Sequence, residues 1–333
     1  MNKKYRGYVI QIIFLVILIA LGLWRHQHRV YREVKQAFLM DTLFEIEAES
    51  ENPQLAAILD SCLAVAEMYE QQLSAYADEG ELRRLNDHAG KGIMTIDAEL
   101  LELITAAEYF FAETEGRYDV SIGALADLWD FSRQQIPDEN QIREALKSTG
   151  FDKVTLHGNV ISLPVGMKLN FGSIAKGYVV DKIRDMLISR DINMMLINAG
   201  GDLFINSEKP LLIGIQHPRG EHGTVIDEIR VKDMAVVTSG DYERYFELDG
   251  ERYHHIIDAK TGYPSRECVS VTAICKNAMM ADALSTAAFL LKPEEAVKMA
   301  DKIPDAAIIV YYFKDGELAR MSSSRAVKYL EAK

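Results

Sequence analysis

The sequence predicts an α+β protein, a single large mixed domain carried behind an apolar N-terminal helix. Three observations lead there. Tyr8–Trp24 (YVIQIIFLVILIALGLW) is an apolar run whose one strongly polar member is Gln11. The rest of the chain mixes amphipathic helical stretches with short β-segments, several of them joined by two-residue turns. No Pro/Gly/Ser-rich linker divides those segments, so they read as one domain of about 290 residues, large but within the range of single domains.

Lys3, Lys4 and Arg6 precede the apolar run, whose 17 residues stand at the lower limit of the ~17–25 that cross a bilayer. Ala20-Leu21-Gly22 resembles a small-x-small cleavage triplet, but bulky Trp24 and Arg25 follow it. Residues 1–24 are therefore expected to be an uncleaved membrane anchor, residues 25–36 a basic juxtamembrane linker, and residues 37–333 the folded domain. Arg25, Arg29, Arg32 and Lys35 nearly balance the charges on the other side of the run, so charge counting leaves the orientation open.

Within the domain, Thr42–Glu49 partly alternates, as a strand does. Leu55, Ile58, Leu59, Cys62, Ala66, Tyr69, Leu73 and Tyr76 recur at three- and four-residue spacing and predict an amphipathic helix. A second helix is predicted over Asp97–Thr114, with Asp97 as N-cap and Gly116 near its end. Lys153–Leu163 reads as a hairpin turning at Gly158-Asn159, and a helix from about Ile174 to Ser189 leads into the short apolar strand Met194–Asn198. Tyr245–Leu248 and Arg252–Ile257 flank Asp249-Gly250, a strong two-residue hairpin signal. Val269–Cys275 reads as a strand and Met279–Leu291 as a largely apolar helix. Ala306–Phe313 and Glu317–Met321 close the chain as a hairpin through Asp315-Gly316.

Beyond the first 24 residues, 34 basic side chains face 50 acidic ones, a net charge of −16. Nucleic-acid binding needs a basic face to displace counterions from phosphates, so that class is excluded. An anionic ligand must instead be held locally, by backbone amides or a metal. Cys62, Cys268 and Cys275 form no disulfide framework and no C-x-x-C pair, and read as small buried apolar residues.

Four segments combine small and polar residues with apolar runs. In Gly116–Phe131, Asp119 and Gly123 point to a turn that brings backbone close to a ligand. In Asn170–Asp181, Gly172-Ser173 opens a helix whose first N–H groups suit a phosphate, with Lys176 inside the first turn. Val237–Pro264 carries His254, His255 and Asp258. On a regular strand His255 and Asp258 face opposite sides, so the chain must bend there if both act. In Ala281–Thr286, Asp282 and Thr286 share one face of what reads as a surface helix, and a carboxylate with a hydroxyl makes a hard oxygen set suited to magnesium. The competing reading makes Asp282 the N-cap of that helix, with Thr286 bonding back to its carbonyl.

Taken together, in order and spacing, these pieces resemble the ApbE-type FAD:protein FMN transferases. The resemblance is carried by Met40-Asp41-Thr42, Tyr118-Asp119 through Leu125, Asn170–Gly177, Gly200-Gly201-Asp202, Thr238–Tyr242, His255–Gly262 and Ala281–Thr286. It implies FAD contacts at Met40, Tyr76, Arg117, Tyr118, Asp119, Asn170, Lys176 and Ile256, and magnesium held by the Ser173 carbonyl, Asp282, Ser285 and Thr286. It further implies transfer of FMN from FAD to a threonine of an acceptor flavoprotein, one belonging to an electron-transfer or ion-pumping complex, on the extracytoplasmic face of the cell membrane. This sequence has Asn170 where the family usually has Asp, Asp41 where it has Gly, and Ala259 where it has Pro.

The chemistry is consistent with this. A threonine hydroxyl is a poor nucleophile, while the FAD pyrophosphate offers a phosphorus with AMP as leaving group; magnesium can neutralise the phosphates, and a base close to the incoming hydroxyl helps. His255 and Asp258 are the candidate bases. His254, on the other strand face, is expected to tolerate substitution. FAD hydrolysis to FMN and AMP, or a non-catalytic membrane-tethered flavin-binding module, are the alternative readings.

Overall fold

The fold is organised by an eight-stranded antiparallel sheet whose strands stand side by side in chain order: Tyr31–Leu39, Thr42–Ser50, Met194–Ala199, Asp202–Asn206, Met234–Gly240, Ser270–Cys275, Ala307–Lys314 and Glu317–Ser322. The computed structural model describes Tyr8 and residues 12–19, 29–221 and 223–331. Three neighbouring pairs are joined by two-residue turns, Met40-Asp41, Gly200-Gly201 and Asp315-Gly316, each with positive φ at both positions. That geometry matches the right-handed twist of the strands. Aspartate tolerates it better than most side chains, so Asp41 stands where the family has glycine without breaking the turn.

One face of the sheet is the main core. Phe44, Ile46, Ile197, Val237, Val271 and Ile308 pack there against the helices Leu55–Leu73, Ala98–Glu113, Ala175–Ile188 and Ala278–Phe289. The opposite face, through Ile205, Val236, Ile274, Ile309 and Tyr311, is covered by a separate hairpin, Leu211–Gln216 with Val225–Val231. At the other end of the sheet the same face is bare, and Val34, Phe38 and Leu43 are exposed. A third cluster, Leu125, Trp129, Ile142, Phe246 and Ile257, gathers the hairpin Tyr245–Leu248/Glu251–His254 against the 120s.

The helix Ala278–Phe289 is the structural pivot. Asn277 caps it, accepting from Met280 N–H at 2.9 Å, and Asp181 from the neighbouring helix accepts from Ala278 and Met279 N–H, also at 2.9 Å. Three of the helix's orphan donors are thereby satisfied by side chains. All of its residues except Met280 and Thr286 are buried. It is no surface helix, and Asp282 is an interior residue rather than its N-cap, so both of those expectations fail.

Elsewhere the elements fall close to expectation, and Asp97 caps the helix Ala98–Glu113 through Leu100 N–H at 2.8 Å. The expected linker 25–36 is a correction: Tyr31–Gln36 is strand, paired with Glu45–Ser50. The strand's half-buried face carries Glu33 and Lys35 and its exposed face Val34 and Phe38, so polarity does not alternate with the strand period. Of the apolar run Tyr8–Trp24, Tyr8 and Ile12–Ile19 are helical and exposed, and the remainder lies outside the described residues. Among the described residues no helix is long and apolar enough to cross a membrane. Deleting residues 1–24 is expected to leave the thermal midpoint unchanged. Deleting 1–36 removes most of the edge strand and lowers the midpoint by on the order of 5 °C or more, as calorimetry would register.

Candidate functional site

The Met40-Asp41 and Gly200-Gly201 turns, the end of strand Met234–Gly240, the first turn of helix Ala175–Ile188 and the segment His255–Ile257 all border one cleft of about 1430 Å³. Pockets for small molecules run to ~300–1,000 Å³, so this one has room for a dinucleotide and part of a polypeptide. Of the residues singled out in the sequence, Met40, Tyr76, Tyr118, Asp119, Asn170, Ser173, Lys176, His255, Ile256, Asp282 and Thr286 line it. Arg117, Asp258 and Ser285 do not.

The deepest corner is built by two helices in close contact. A Cβ on Gly177 would stand 2.2 Å from the Ala278 carbonyl oxygen and 2.8 Å from Asp282 Cβ, so only glycine allows the approach. The Gly177 N–H then donates to Asp282 Oδ2 at 3.0 Å. In a regular helix that N–H would close on the carbonyl four residues back, which is Ser173's. The bond to Asp282 leaves that carbonyl outside the helical ladder and beside the cleft. Ser285 Oγ donates to the Asp282 carbonyl at 2.9 Å and shares Ser239 Oγ at 2.8 Å, while Thr286 Oγ1 meets Ser239 Oγ at 3.1 Å. It is therefore Ser285, not Thr286, that bonds back to residue 282. Among the described residues no three His, Cys, Asp or Glu are placed to hold a metal. The corner offers one carboxylate, one carbonyl outside the helical ladder and hydroxyls, the hard, oxygen-only set that magnesium takes with substrate phosphates completing it.

Charge around this corner is tightly balanced. Lys176 pairs with Asp202, which is buried. Burial works against the Lys176 ammonium, but the carboxylates of Asp202, Asp282 and Glu243 outweigh it and hold the lysine charged above its ordinary value. Its charge is thus committed to the protein rather than free for an anion. Asp282 is pushed up to about 7, by burial and by Asp202, against Lys176 and the Gly177 N–H. Glu243 is open to the cleft's water yet hemmed by its walls. Its carboxyl also rises to about 7, because lost hydration, Asp202 and Asp282 outweigh Lys176. Three carboxylates around one ammonium favour an added cation.

On the other wall, Tyr118 is buried and receives the Ser173 hydroxyl at 3.0 Å. Asp119 is spent inside the protein: its two oxygens accept from Ser121 N–H at 2.7 Å and Phe151 N–H at 3.0 Å. Gly123 likewise makes its close approach to Lys168 backbone, not to a ligand. Asn170 Oδ1 accepts from Gly172 N–H at 2.8 Å, shaping the turn before the helix, so an amide serves here without the family's negative charge. Tyr76 is exposed, its hydroxyl beside Asp127 and Asn170, and Met40 is tied by its N–H to Glu70 Oε1 at 2.7 Å. Arg117 pairs with Asp258, whose other oxygen accepts from Lys260 N–H at 2.9 Å. That engagement, outside the cleft lining, makes Asp258 a loop organiser and leaves His255 as the base candidate the geometry favours.

The two histidines have different surroundings. His255 is half-buried in the cleft wall, and its Nδ1 is buried without a partner among the described residues. His254 lies in the core. Its Nε2 meets the Ser265 carbonyl at 2.7 Å and its Nδ1 accepts from Ile256 N–H at 3.2 Å, so Nε2 carries the proton and the ring is neutral. The expected tolerance of His254 to substitution is overturned, because the other face of this strand end is core, not solvent. Burial lowers His254 to about 4, against the Ser265 carbonyl. The unfolded chain then takes up this proton near 6.5, before the folded one does. Stability from His254 is fully present above about 6.5 and is lost as pH falls towards 4. His254→Gln is expected to lower the thermal midpoint at pH 7 and to flatten its fall between those pH values.

Sequence reasoning missed Glu243, the Asp202–Lys176 pair and the part of Ser239. The last two stand in the quoted Gly-Gly-Asp and Thr-Ser-Gly-x-Tyr pieces, so motif position held a signal for them. Glu243 had none.

Comparison with known proteins converges on one group. A model of the ApbE family matches residues 40–310. An FAD:protein FMN transferase of Treponema pallidum is 32% identical over 317 residues, covering 88% of this chain and 88% of that protein. The namesake from Vibrio cholerae is 33% identical over 263 residues, 76% of this chain and 79% of the relative. Among solved structures, the ApbE protein of Thermotoga maritima superposes with a TM-score of 0.81 at 33% identity, covering 91% of this chain and all of that one (100%). The flavin transferase ApbE from Vibrio cholerae gives 0.82 at 27%, with the same coverage of 91% and 100%.

Proposed function

The chain belongs to the ApbE family, and we propose that it is an FAD:protein FMN transferase that uses magnesium to move FMN from FAD to a threonine of an acceptor flavoprotein, releasing AMP. The observation that carries this is the Gly177–Asp282 contact. It sets a buried carboxylate next to a carbonyl released from its helix, at the inner end of a cleft of about 1430 Å³. Ser173, Asp282, Ser285 and Thr286 would hold the metal, and the excess of carboxylates there fits a divalent cation. Bound there, magnesium supplies positive charge against the pyrophosphate oxygens.

The chain's own residues do the rest. The N-terminal end of helix Ala175–Ile188 borders the cleft, and its dipole favours the phosphates there while the Ala175, Gly177 and Tyr178 N–H groups stay bonded within the protein. Lys176, held by Asp202, keeps the corner from repelling the dinucleotide outright. His255 receives the proton of the threonine hydroxyl as its oxygen bonds to the FMN phosphorus. The phosphorus–oxygen bond to the AMP phosphate breaks, and AMP leaves with that electron pair.

Incubating the full chain with FAD, magnesium and threonine-bearing proteins tests this. Covalent flavin with an equal amount of AMP supports transfer. FMN and AMP released to water in its place would make the protein a pyrophosphatase, and bound but unchanged FAD a carrier. The acceptor, in this reading, belongs to an electron-transfer or ion-pumping complex. Residues 1–24 anchor the catalytic domain to the extracytoplasmic face of the cell membrane; the apolar run and the exposed helix Ile12–Ile19 support the anchoring, and the side follows from the family resemblance alone.

A further inference from the structure

Four consecutive residues of one strand, Ile213, Gly214, Ile215 and Gln216, border the cleft. Side chains of a strand alternate between its faces, so consecutive residues meet one cavity only where the strand turns its edge to it. Leu211–Gln216 pairs with Val225–Val231 alone, so among the described residues this edge has no strand partner. Its polarity can be assigned. His217 N–H donates to the Thr224 carbonyl at 2.7 Å, and residues of an antiparallel strand alternate in the direction of their N–H and C=O groups. Ile213 and Ile215 therefore face the partner strand, while Leu212, Gly214 and Gln216 turn theirs to the open side. The register break opposite Ile215 and Gln216 lies on the partner strand and leaves this alternation intact.

The bare end of the sheet reaches the same cleft through its hairpin turn. Phe38 is 74% and Leu43 54% exposed, and the two stand opposite each other in register, flanking the Met40-Asp41 turn that borders the same cleft. An open strand edge and an exposed apolar pair are each a hazard in a free protein, and proteins that keep such an edge use it for strand addition. A row of alternating N–H and C=O groups matches a polypeptide. It does not match a dinucleotide, whose phosphates need donors only.

We propose that this edge is the acceptor's seat: an extended segment of the acceptor protein adds as a strand to Leu211–Gln216, rests apolar side chains on Phe38 and Leu43, and so carries its threonine into the cleft. This rests on the reading that the substrate is a protein, since hydrolysis of FAD by water needs no such edge.

The full chain, FAD and magnesium are offered short peptides with one central threonine and randomised flanks, and labelled members are found by the mass of FMN. One labelled peptide is resynthesised with N-methyl groups on alternate amides, in both phases. It is then assayed with wild type, Leu212→Pro, which removes an outward N–H but no hairpin bond, and the double variant Phe38→Lys/Leu43→Lys. Each change, and one N-methyl phase only, is expected to raise the peptide KM by about tenfold, the size of one lost hydrogen bond, with kcat and FAD affinity unchanged. Unchanged KM throughout overturns the seat and leaves the transferase standing. Loss of FAD binding in Leu212→Pro gives the edge to the dinucleotide, and a self-dimer abolished by that change gives it to a second copy; either overturns the seat. FMN and AMP without any labelled peptide overturns the transferase reading and the seat with it. Should Leu212→Pro fail to fold, the N-methyl peptides and the lysine pair still decide.

Discussion

Asp282→Asn is expected to abolish FMN transfer, by about 10³-fold or more, without lowering the protein's stability. Asparagine keeps an oxygen for the Gly177 N–H and fills the same space, so the contact between the two helices survives. What it removes is the one carboxylate in the oxygen set of the proposed metal corner. Charge stabilisation of a transferring phosphoryl group by a metal is worth several kcal/mol, and each 1.36 is tenfold in rate. Stability moves the other way. Burial and Asp202 hold the Asp282 carboxyl up to about 7, so in the metal-free protein the folded state resists its ionisation. An acid raised in the folded state stabilises fully below the unfolded value of about 3.8 and loses that contribution as pH rises from there through about 7. The amide has no such dependence, so the metal-free variant should melt no lower than wild type at pH 8. Asp282→Ala is the harsher change. It frees the Gly177 N–H to close on the Ser173 carbonyl, which takes a second oxygen out of the corner. Magnesium-dependent transfer surviving in the asparagine variant, assayed by covalent flavin on the acceptor, would remove Asp282 from the site.

What could be read from the sequence was what local rules control. Asp97 caps its helix, and the Asp249-Gly250 and Asp315-Gly316 turns form because left-handed backbone selects those residues. The ordered motifs led to a single cleft, since most of the quoted pieces border it. What could not be read was which side chains the fold spends on itself. Arg117 and Asp258 are 141 positions apart, and Lys176 and Asp202 belong to separate motifs. In each case a residue that looked available to a ligand is paired with a partner that no spacing rule connects to it. The strand Tyr31–Leu39 was missed for a related reason. Both of its faces mix polar and apolar residues, and its pairing is written in the hairpin turn at Met40-Asp41 rather than in its own alternation. The same bare face is what makes an acceptor seat available.

His255→Ala is expected to cut transfer by about 10²–10⁴-fold, the usual contribution of a positioned general base, while leaving FAD affinity near wild type. The ring lines the cleft, whereas the dinucleotide has the helix N-terminus, Asn170 and the walls around Tyr118 to hold it. Burial, and after it the neighbouring His254, lowers His255 to about 4, so at neutral pH the imidazole is unprotonated and free to take the threonine proton. A base this weak in the free enzyme places the acid limb of kcat/KM well below the 6.5 of an ordinary histidine. With magnesium saturating, so that the Asp282 carboxylate stays ionised, that limb should vanish in the alanine variant, leaving a low, flat profile. Two controls separate chemistry from structure. Asp258→Asn breaks the pair with Arg117 and should loosen the 258–263 turn, costing stability more than kcat. His254→Ala removes a core ring with both nitrogens bonded and should lower the thermal midpoint. FAD binding and transfer lost together in His255→Ala would make its role structural. An alanine variant as active as wild type, with its acid limb intact, would mean that no side chain at position 255 takes the proton.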